Sequence, residues 1–301
     1  MKKIILTTFF VFVCVFQAFG DEVDEGLPNM ATVALKTGTR HMIRAGIDSE
    51  DAIRMTRAML ENRFKHEHIL KAQEIVMRSR KEGLPVEPIM NKAHEGMAKR
   101  VQEENIIRAM ENVMARYGYA YQQAGELTQD EAKRQRIMEQ VAECVAAGMT
   151  DSDAGRLVYR LKYRIQEMPE DEAGSLAIET FSTGKEIARL RVSSMVTTDL
   201  MLEALKHHYG IQEMARMRLS FMKHSRDTSP NIVAQGYSDA IHLGKRLEGL
   251  DFLRARGTGK GSLSGGSAGS GRGSGGTAGS SHGGGSGESS GRGSGGSRGG
   301  R

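Results

Sequence analysis

This sequence of 301 residues lacks several residue types that usually mark a fold or a chemistry. It has no tryptophan, only 5% aromatic residues and no stretch in which apolar and polar residues alternate for long, so it predicts no β-sheet. Its two cysteines are Cys14, in an apolar run near the start, and Cys144. Cys14 lies in the segment over residues 1–20 that is predicted below to be cleaved off. After this cleavage Cys144 has no partner for an intramolecular disulfide. Its apolar neighbours favour a buried hydrophobic role over a reactive thiol.

Established catalytic motifs are also absent. The chain contains no nucleophile elbow, Walker A loop, dinucleotide-binding glycine fingerprint or zincin motif. Paired carboxylates such as Asp151 and Asp153 lie where a helix is predicted to begin, and negative charge stabilises that end of a helix. We therefore assign no catalytic residue, no cofactor-binding residue and no cofactor. An enzyme of an unrecognised family stays an alternative.

Metal-binding patterns are incomplete. His66 and His68 project from nearly opposite sides of a predicted helix, so they would not bind one ion. Glu203 and His207 have the i,i+4 spacing of helical ligands, but no second ligand pair lies nearby in the sequence, and structural zinc sites need four ligands. His207 followed by Gly210 instead indicates a helix end with a glycine cap. The 18 methionines are more typical of an adaptable core than of a soft-metal site. We assign no metal ligand.

The start of the chain predicts export. Residues 1–20 carry Lys2 and Lys3, then an apolar run over 4–16, then small residues ending at Gly20, which is the arrangement of a secretory signal peptide. The run is shorter than the roughly 20 residues that a membrane-spanning helix needs. We therefore predict cleavage after Gly20 and a periplasmic or secreted protein of the bacterial cell envelope, with no transmembrane anchor after cleavage.

The other end of the chain predicts a disordered tail. Residues 257–301 are mostly glycine and serine with scattered arginines, so they bury too little apolar area to fold. Of the net charge of +5, Lys2 and Lys3 contribute +2 and the tail +4, which leaves −1 for the body over 21–256. A nearly neutral body has no bulk attraction to nucleic acid, and the tail lacks aromatic residues that stack on bases. Weak contact of the tail with anionic envelope polymers is one possible use.

A repeat of 37 residues organises the body. Gly46 opens the first copy and Gly83 the second, and both helices of each copy have one apolar face. Eight pairs match without a gap: Glu50 with Glu87, Arg63 with Arg100, Glu67 with Glu104, Ile69 with Ile106, Ala72 with Ala109, Glu74 with Glu111, Val76 with Val113, and Met77 with Met114. Such a period is typical of stacked helix pairs. The tetratricopeptide signature is missing, so we do not assign that repeat.

Further helices are predicted along the rest of the body. The first covers about 29–45, and six more cover about 129–147, 151–166, 170–190, 197–208, 211–225 and 230–254. Gly125, Gly148 and Gly236 are each followed by Ser, Thr or Asp, which predicts a helix end and the next N-cap at each of them. The predicted fold is all-α, with stacked helix-turn-helix pairs over 21–256 in an irregular helical repeat or bundle.

One segment carries a resemblance. Residues 82–92 read Glu-Gly-Leu-Pro-Val-Glu-Pro-Ile-Met-Asn-Lys, and 95–99 read Glu-Gly-Met-Ala-Lys. This resembles a segment, close to GLPxEPLxxKxxEGxAK, of a group of uncharacterised secreted bacterial helical-repeat proteins. The resemblance covers about 35 of the 301 residues. It implies export and helical architecture only, because that group has no established activity. The chain departs from the pattern at Arg100, where a glycine turn and a proline would be expected.

These observations favour an interaction or scaffolding protein of the cell envelope without catalysis. A groove between helix pairs would hold a protein or peptide partner. One alternative is an anion-binding envelope protein that acts through its basic tail over 257–301. The other is the enzyme of an unrecognised family.

Overall fold

A computed structural model describes residues 22–166 and 168–245 of the chain. Within these ranges 77% of the residues are helical and none lies in a strand, which confirms the predicted all-α class. The predicted signal peptide over 1–20 and the predicted tail over 257–301 lie outside the described residues. No helix within the described ranges has both the length and the apolar character that crossing a membrane requires.

The described part of the chain forms twelve helices. They are α1 (22–26), α2 (Val33–Arg44), α3 (Ser49–Glu61), α4 (His66–Lys81), α5 (Glu87–Ala98), α6 (Glu103–Gly125), α7 (Glu131–Ala146), α8 (Asp151–Ile165), α9 (Glu170–Arg189), α10 (Ser194–Lys206), α11 (Ile211–His224) and α12 (Pro230–His242). The six helices predicted from residue 129 onward correspond to α7 to α12. The last one is shorter than predicted, because Gly244 takes a positive φ of 65° and closes it. Residues 246–254 lie outside the described ranges.

The helices stack in two rows. In one row α2, α4, α6, α7, α9 and α11 pack side by side. In the other row α3 packs against α5, and α8, α10 and α12 pack in succession. Contacts such as those of α2 with α3 and of α9 with α10 join the rows, so their apolar faces form one core. The predicted stack of helix pairs is therefore confirmed.

One long helix interrupts the alternation between the rows. α6 has 23 residues, and α7 follows it in the same row instead of crossing to the other. Regular alternation would place α7 beside α5. Instead α5 and α8, the helices of the other row on either side of the interruption, each pack against α6. The interruption places the C-terminal half of α6 beside α8 and opens a cleft there.

Glycine ends the helix that precedes each repeat copy. Gly46 closes α2 and Gly83 closes α4 with φ values of 84° and 72°, and Gly148 closes α7 at 119°. Glycine adopts such values without the steric penalty of a Cβ atom. The N-cap of α3, Asp48, accepts a hydrogen bond from the N–H of Asp51 at 3.1 Å. The helix end predicted at Gly148 is confirmed.

The turn at Arg100 forms without the glycine and proline that the resemblance leads us to expect. Arg100 has a φ of 54°, and Arg63, its equivalent in the first copy, has 60°. A left-handed conformation costs a non-glycine residue about 1–2 kcal/mol. The N–H of Val101 donates to the carbonyl of Gly96 at 3.0 Å, which satisfies an acceptor at the helix end. This hydrogen bond helps to offset the strain at the arginine.

The helix end predicted at Gly125 is confirmed, because α6 ends there, but Gly125 has no positive φ and is not a left-handed cap. The helix end predicted at Gly236 is wrong, because Gly236 is buried inside α12. At the end of α10, His208 has the positive φ, of 60°, whereas Gly210 precedes α11 as its N-cap with a φ of −91°. Local sequence misplaces the helix end at Gly236 and the left-handed caps at Gly125 and Gly210, because the packing of neighbouring apolar residues helps to decide where a helix stops.

Candidate functional site

The cleft between α6 and α8 is held by one tyrosine contact. Tyr119, in the C-terminal half of α6, donates its hydroxyl hydrogen to the carbonyl of Asp151 in the first turn of α8, at 2.5 Å. Burial raises the pKa of Tyr119 to about 12, so the hydroxyl stays protonated and remains a donor. Next to this contact, Gly155 has no side chain and leaves space toward Gln123. The two helices are thus fixed together without filling the region between them.

This space is a cleft of about 310 Å³ with few charges on its walls. Its volume lies at the lower end of the range of about 300–1,000 Å³ that small ligand sites occupy. The lining residues come from α6, from α8 and from the residue after α8: Gln123, Glu126, Gly155, Val158, Tyr159, Lys162, Tyr163 and Gln166. Both polar hydrogen-bonding groups and ring surfaces are therefore available to a ligand.

Two tyrosines of α8 form an exposed aromatic pair on the cleft. Tyr159 is 63% exposed and Tyr163 is 53% exposed. Their rings meet edge to face with centroids 4.8 Å apart, and their hydroxyl oxygens are 2.9 Å apart. Each ring restricts the other, so the pair presents a pre-organised apolar surface with polar ends.

Lys162 and Arg156, two cationic residues beside the cleft, are each paired with carboxylates. The Nζ of Lys162 lies 2.6 Å from Oε2 of Glu126, and this contact lowers the pKa of Glu126. Arg156 contacts Asp153 and Asp199 at 3.2 Å and 3.0 Å. These exposed ion pairs add little to stability. Their effect on the cleft is to cancel local charge, so its surface suits a ligand without strong charge.

A second hollow lies on the other side of Tyr159. It has a volume of about 430 Å³ and is lined by Gly155, Arg156, Tyr159, Arg160 and Leu202. Tyr159 therefore borders both hollows and can be reached from either.

A separate cluster joins the ends of α10 and α12. Oε1 of Glu203 lies 3.1 Å from Nε2 of His207 and 3.0 Å from Nδ1 of His242. The Nζ of Lys206 is 3.4 Å from the same oxygen. The sequence shows the Glu203 and His207 pair, but only the packing of α12 against α10 brings His242 to it.

Another cluster joins the starts of α4 and α6. Nδ1 of His68 lies 3.1 Å from Oε2 of Glu103, and Glu104 is beside them. The backbone N–H of Lys65 donates to the same oxygen of Glu103 at 2.7 Å, so this carboxylate caps α4 from a neighbouring helix. His66 is exposed and takes no part in this cluster.

Cys144 is buried in α7, with its Sγ atom 3.6 Å from Sδ of Met149. Burial raises the pKa of the Cys144 thiol to about 12, so the reactive thiolate does not form near neutral pH. This confirms the predicted hydrophobic role of the residue.

Known proteins add no assignment to these sites. Comparison of the chain with models of protein families, with curated proteins and with solved structures finds no match in any of the three. The resemblance carried by residues 82–99 therefore stays a prediction. A functional assignment of this chain rests on the geometry of the cleft and of the two clusters.

Proposed function

We propose that this chain is an exported interaction protein of the cell envelope, which binds an extended, weakly charged peptide segment of a protein partner in the cleft between α6 and α8. The observation that carries this proposal is the exposed, mutually restrained pair of Tyr159 and Tyr163 on the wall of that cleft. Exposed aromatic residues are enriched where proteins bind one another, because they bury large area with few rotatable bonds.

The chemistry of the lining supports a peptide as the ligand. The rings of Tyr159 and Tyr163 offer surface for a proline or another apolar side chain, as in grooves that bind extended peptides. The side-chain amides of Gln123 and Gln166 can each donate and accept, which matches the backbone of an extended segment. Since Lys162 is paired with Glu126, no unpaired charge on the cleft wall selects a strongly charged ligand.

Export is the other part of the proposal. It rests on the signal-peptide pattern of residues 1–20, because the described residues do not include this segment. Fractionation of the native host, together with sequencing of the N-terminus of the purified protein, tests it. The expected result is a periplasmic or secreted chain that begins at Asp21. A cytoplasmic chain that still begins at Met1 would contradict export while leaving the peptide site untouched.

The peptide site is tested by selection of ligands from a display library on the exported chain (21–301). The affinity of a selected peptide is then measured by fluorescence anisotropy. Tyr159→Ala should weaken binding by about tenfold or more, because an aromatic residue at the centre of an interface is worth about 2 kcal/mol. Leu219→Ala is the control, since Leu219 is equally exposed but lies on α11, away from the cleft. Equal affinity of the wild type and Tyr159→Ala for the peptide would contradict the proposed binding site in the cleft.

Deletion of 257–301 separates this proposal from the alternative in which the basic tail makes the contact. Peptide binding at the cleft should survive the deletion and depend only weakly on salt, because the cleft charges are already paired. Binding that disappears with the tail and fades as salt rises would instead support an anion-binding protein.

A further inference from the structure

We infer that Glu203, His207 and His242 form a binding site for a divalent transition-metal ion of the zinc class. Glu203 lies in the last turn of α10, His207 directly follows α10, and His242 is the last residue of α12. Their donor atoms all lie within 4.8 Å of one another. Imidazole nitrogens and a carboxylate oxygen are ligands that zinc accepts, and three protein ligands leave a fourth position for water.

The donor spacing suits such an ion. The two ring nitrogens lie 3.1 Å and 3.0 Å from Oε1 of Glu203. In a tetrahedral zinc site, with metal–ligand distances near 2.1 Å, neighbouring ligand atoms are about 3.4 Å apart. The side chains therefore need only small movements to surround an ion. His242 is 68% exposed and can rotate without repacking the core.

The surroundings favour a cation. α10 ends beside His207 and α12 ends at His242, so the negative ends of two helix dipoles lie at the cluster. A glutamate carboxylate is ionised near neutral pH, as a metal ligand must be.

Lys206 competes with the ion for the same carboxylate. Its Nζ lies 3.4 Å from Oε1 of Glu203, but the side chain is 57% exposed. An exposed ion pair stabilises little, so the ammonium group can move into solvent when a doubly charged ion arrives. Replacing Lys206 by Gln should therefore strengthen metal binding.

The cluster at the starts of α4 and α6 is a poorer ligand set. It has one imidazole, from His68, and two carboxylates, from Glu103 and Glu104. The Nζ of Lys65 lies within 3.8 Å of both carboxylates, and its backbone N–H already bonds to Glu103. This cluster serves as an internal comparison in the test.

The site has a structural consequence for the chain. An ion shared by α10 and α12 would link two neighbouring helices of one row. Because an ion that binds only the folded chain stabilises it by mass action, zinc should raise the melting temperature.

The test titrates ZnCl₂ into the untagged exported chain (21–301) by calorimetry. We expect one zinc per chain, with affinity weakened at least about tenfold in His242→Ala and in Glu203→Gln. His66→Ala removes an exposed histidine outside both clusters and should bind as the wild type does. His242→Ala should also melt as the wild type does without zinc, because His242 is mostly exposed, so lost binding in this variant cannot come from unfolding.

Zinc should raise the melting temperature of the wild type and of His66→Ala, but not that of His242→Ala. Unchanged zinc affinity in His242→Ala would overturn the proposal, and so would a wild type that binds no zinc. If His68→Ala abolishes binding and His242→Ala does not, the metal belongs to the other cluster and the assignment to α10 and α12 fails. None of these results depends on the peptide cleft.

Discussion

Two successive three-helix units, offset from each other by the 37-residue period, build the same helices and turns around opposite core chemistry. Each unit has three buried residues at its centre, one on each of its three helices. In the unit of α2, α3 and α4 these residues are Thr39, Thr56 and Gln73, which we call the polar node. In the unit of α4, α5 and α6 the residues 37 positions later are Val76, Ala93 and Met110, which we call the apolar node. The backbone repeat thus tolerates either chemistry where its three helices meet.

The polar node gains connections between helices but leaves one group unsatisfied. Nε2 of Gln73 lies within hydrogen-bond distance of the Leu35 carbonyl, of Thr39 and of Thr56, at 3.2, 3.1 and 3.1 Å. Oε1 of Gln73 has no hydrogen-bond partner among residues 22–166 and 168–245. A buried polar atom without a partner costs about 1–3 kcal/mol. The node therefore defines how α2, α3 and α4 fit together more than it stabilises them.

Introducing an amide side chain into the apolar node should lower the free energy of unfolding more than the substitutions at the polar node and at the turns. In Met110→Gln the side chains of Val76 and Ala93 offer the amide no partner, so the free energy of unfolding should fall by about 3 kcal/mol. Urea denaturation followed by circular dichroism measures this loss. Met195→Gln is the matched control, because Met195 is largely exposed, and it should change stability by less than about 0.5 kcal/mol. A loss below about 1 kcal/mol for Met110→Gln would show that the apolar node also accommodates an amide.

A methyl group beside the polar node should have the next largest effect. A Cβ atom on Gly38 would lie 1.9 Å from Oε1 of Gln73, so Gly38→Ala should destabilise the chain by about 2 kcal/mol. In a Gln73→Ala background the clash is gone, and the better helix propensity of alanine should make Gly38→Ala stabilising by up to about 1 kcal/mol. The double-mutant cycle thus predicts a change of sign. Equal effects in both backgrounds would mean that Gly38 does not serve the node.

Substitutions at the turns of Gly83 and Arg100 should change the free energy of unfolding by smaller amounts and in opposite directions. A Cβ atom on Gly83 would meet no other atom within 4 Å, so Gly83→Val should lose only the strain of its positive φ, about 1–2 kcal/mol. Arg100→Gly should relieve such strain and gain about 0.5 kcal/mol after the entropy of glycine is counted. Thermal melting of both variants checks the two signs. Destabilisation by Arg100→Gly would mean that the arginine side chain supports its turn.

Removing the polar node should have the smallest effect. In Gln73→Met the hydroxyls of Thr39 and Thr56 remain 3.2 Å apart, and Thr39 still donates to the carbonyl of Leu35. Stability should therefore stay within about 1 kcal/mol of the wild type. If the node defines how the helices fit, amide hydrogen exchange in α2 should nevertheless become faster. A loss larger than that of Met110→Gln would reverse the comparison of the two nodes.

Part of the candidate cleft could be foreseen from the sequence. Tyr159 and Tyr163 are four residues apart and lie off the stripe of buried apolar residues of α8, such as Leu157 and Leu161. This spacing alone indicates an exposed aromatic pair on one helix. The sequence does not predict that this pair faces a cleft. The cleft depends on the length of α6 and on the packing of α7 in the same row as α6.

By itself the sequence determined the helices, the 37-residue repeat and the glycine turns at Gly46, Gly83 and Gly148. These features depend on apolar spacing within one helix and on the freedom of φ at a single residue, which are local properties. Only the tertiary structure decided that Gln73 meets Thr39 and that His242 meets Glu203, pairs separated by 34 and 39 residues. Such contacts depend on how whole helices pack, because a polar side chain finds its partner only after the apolar faces have set the position of both helices.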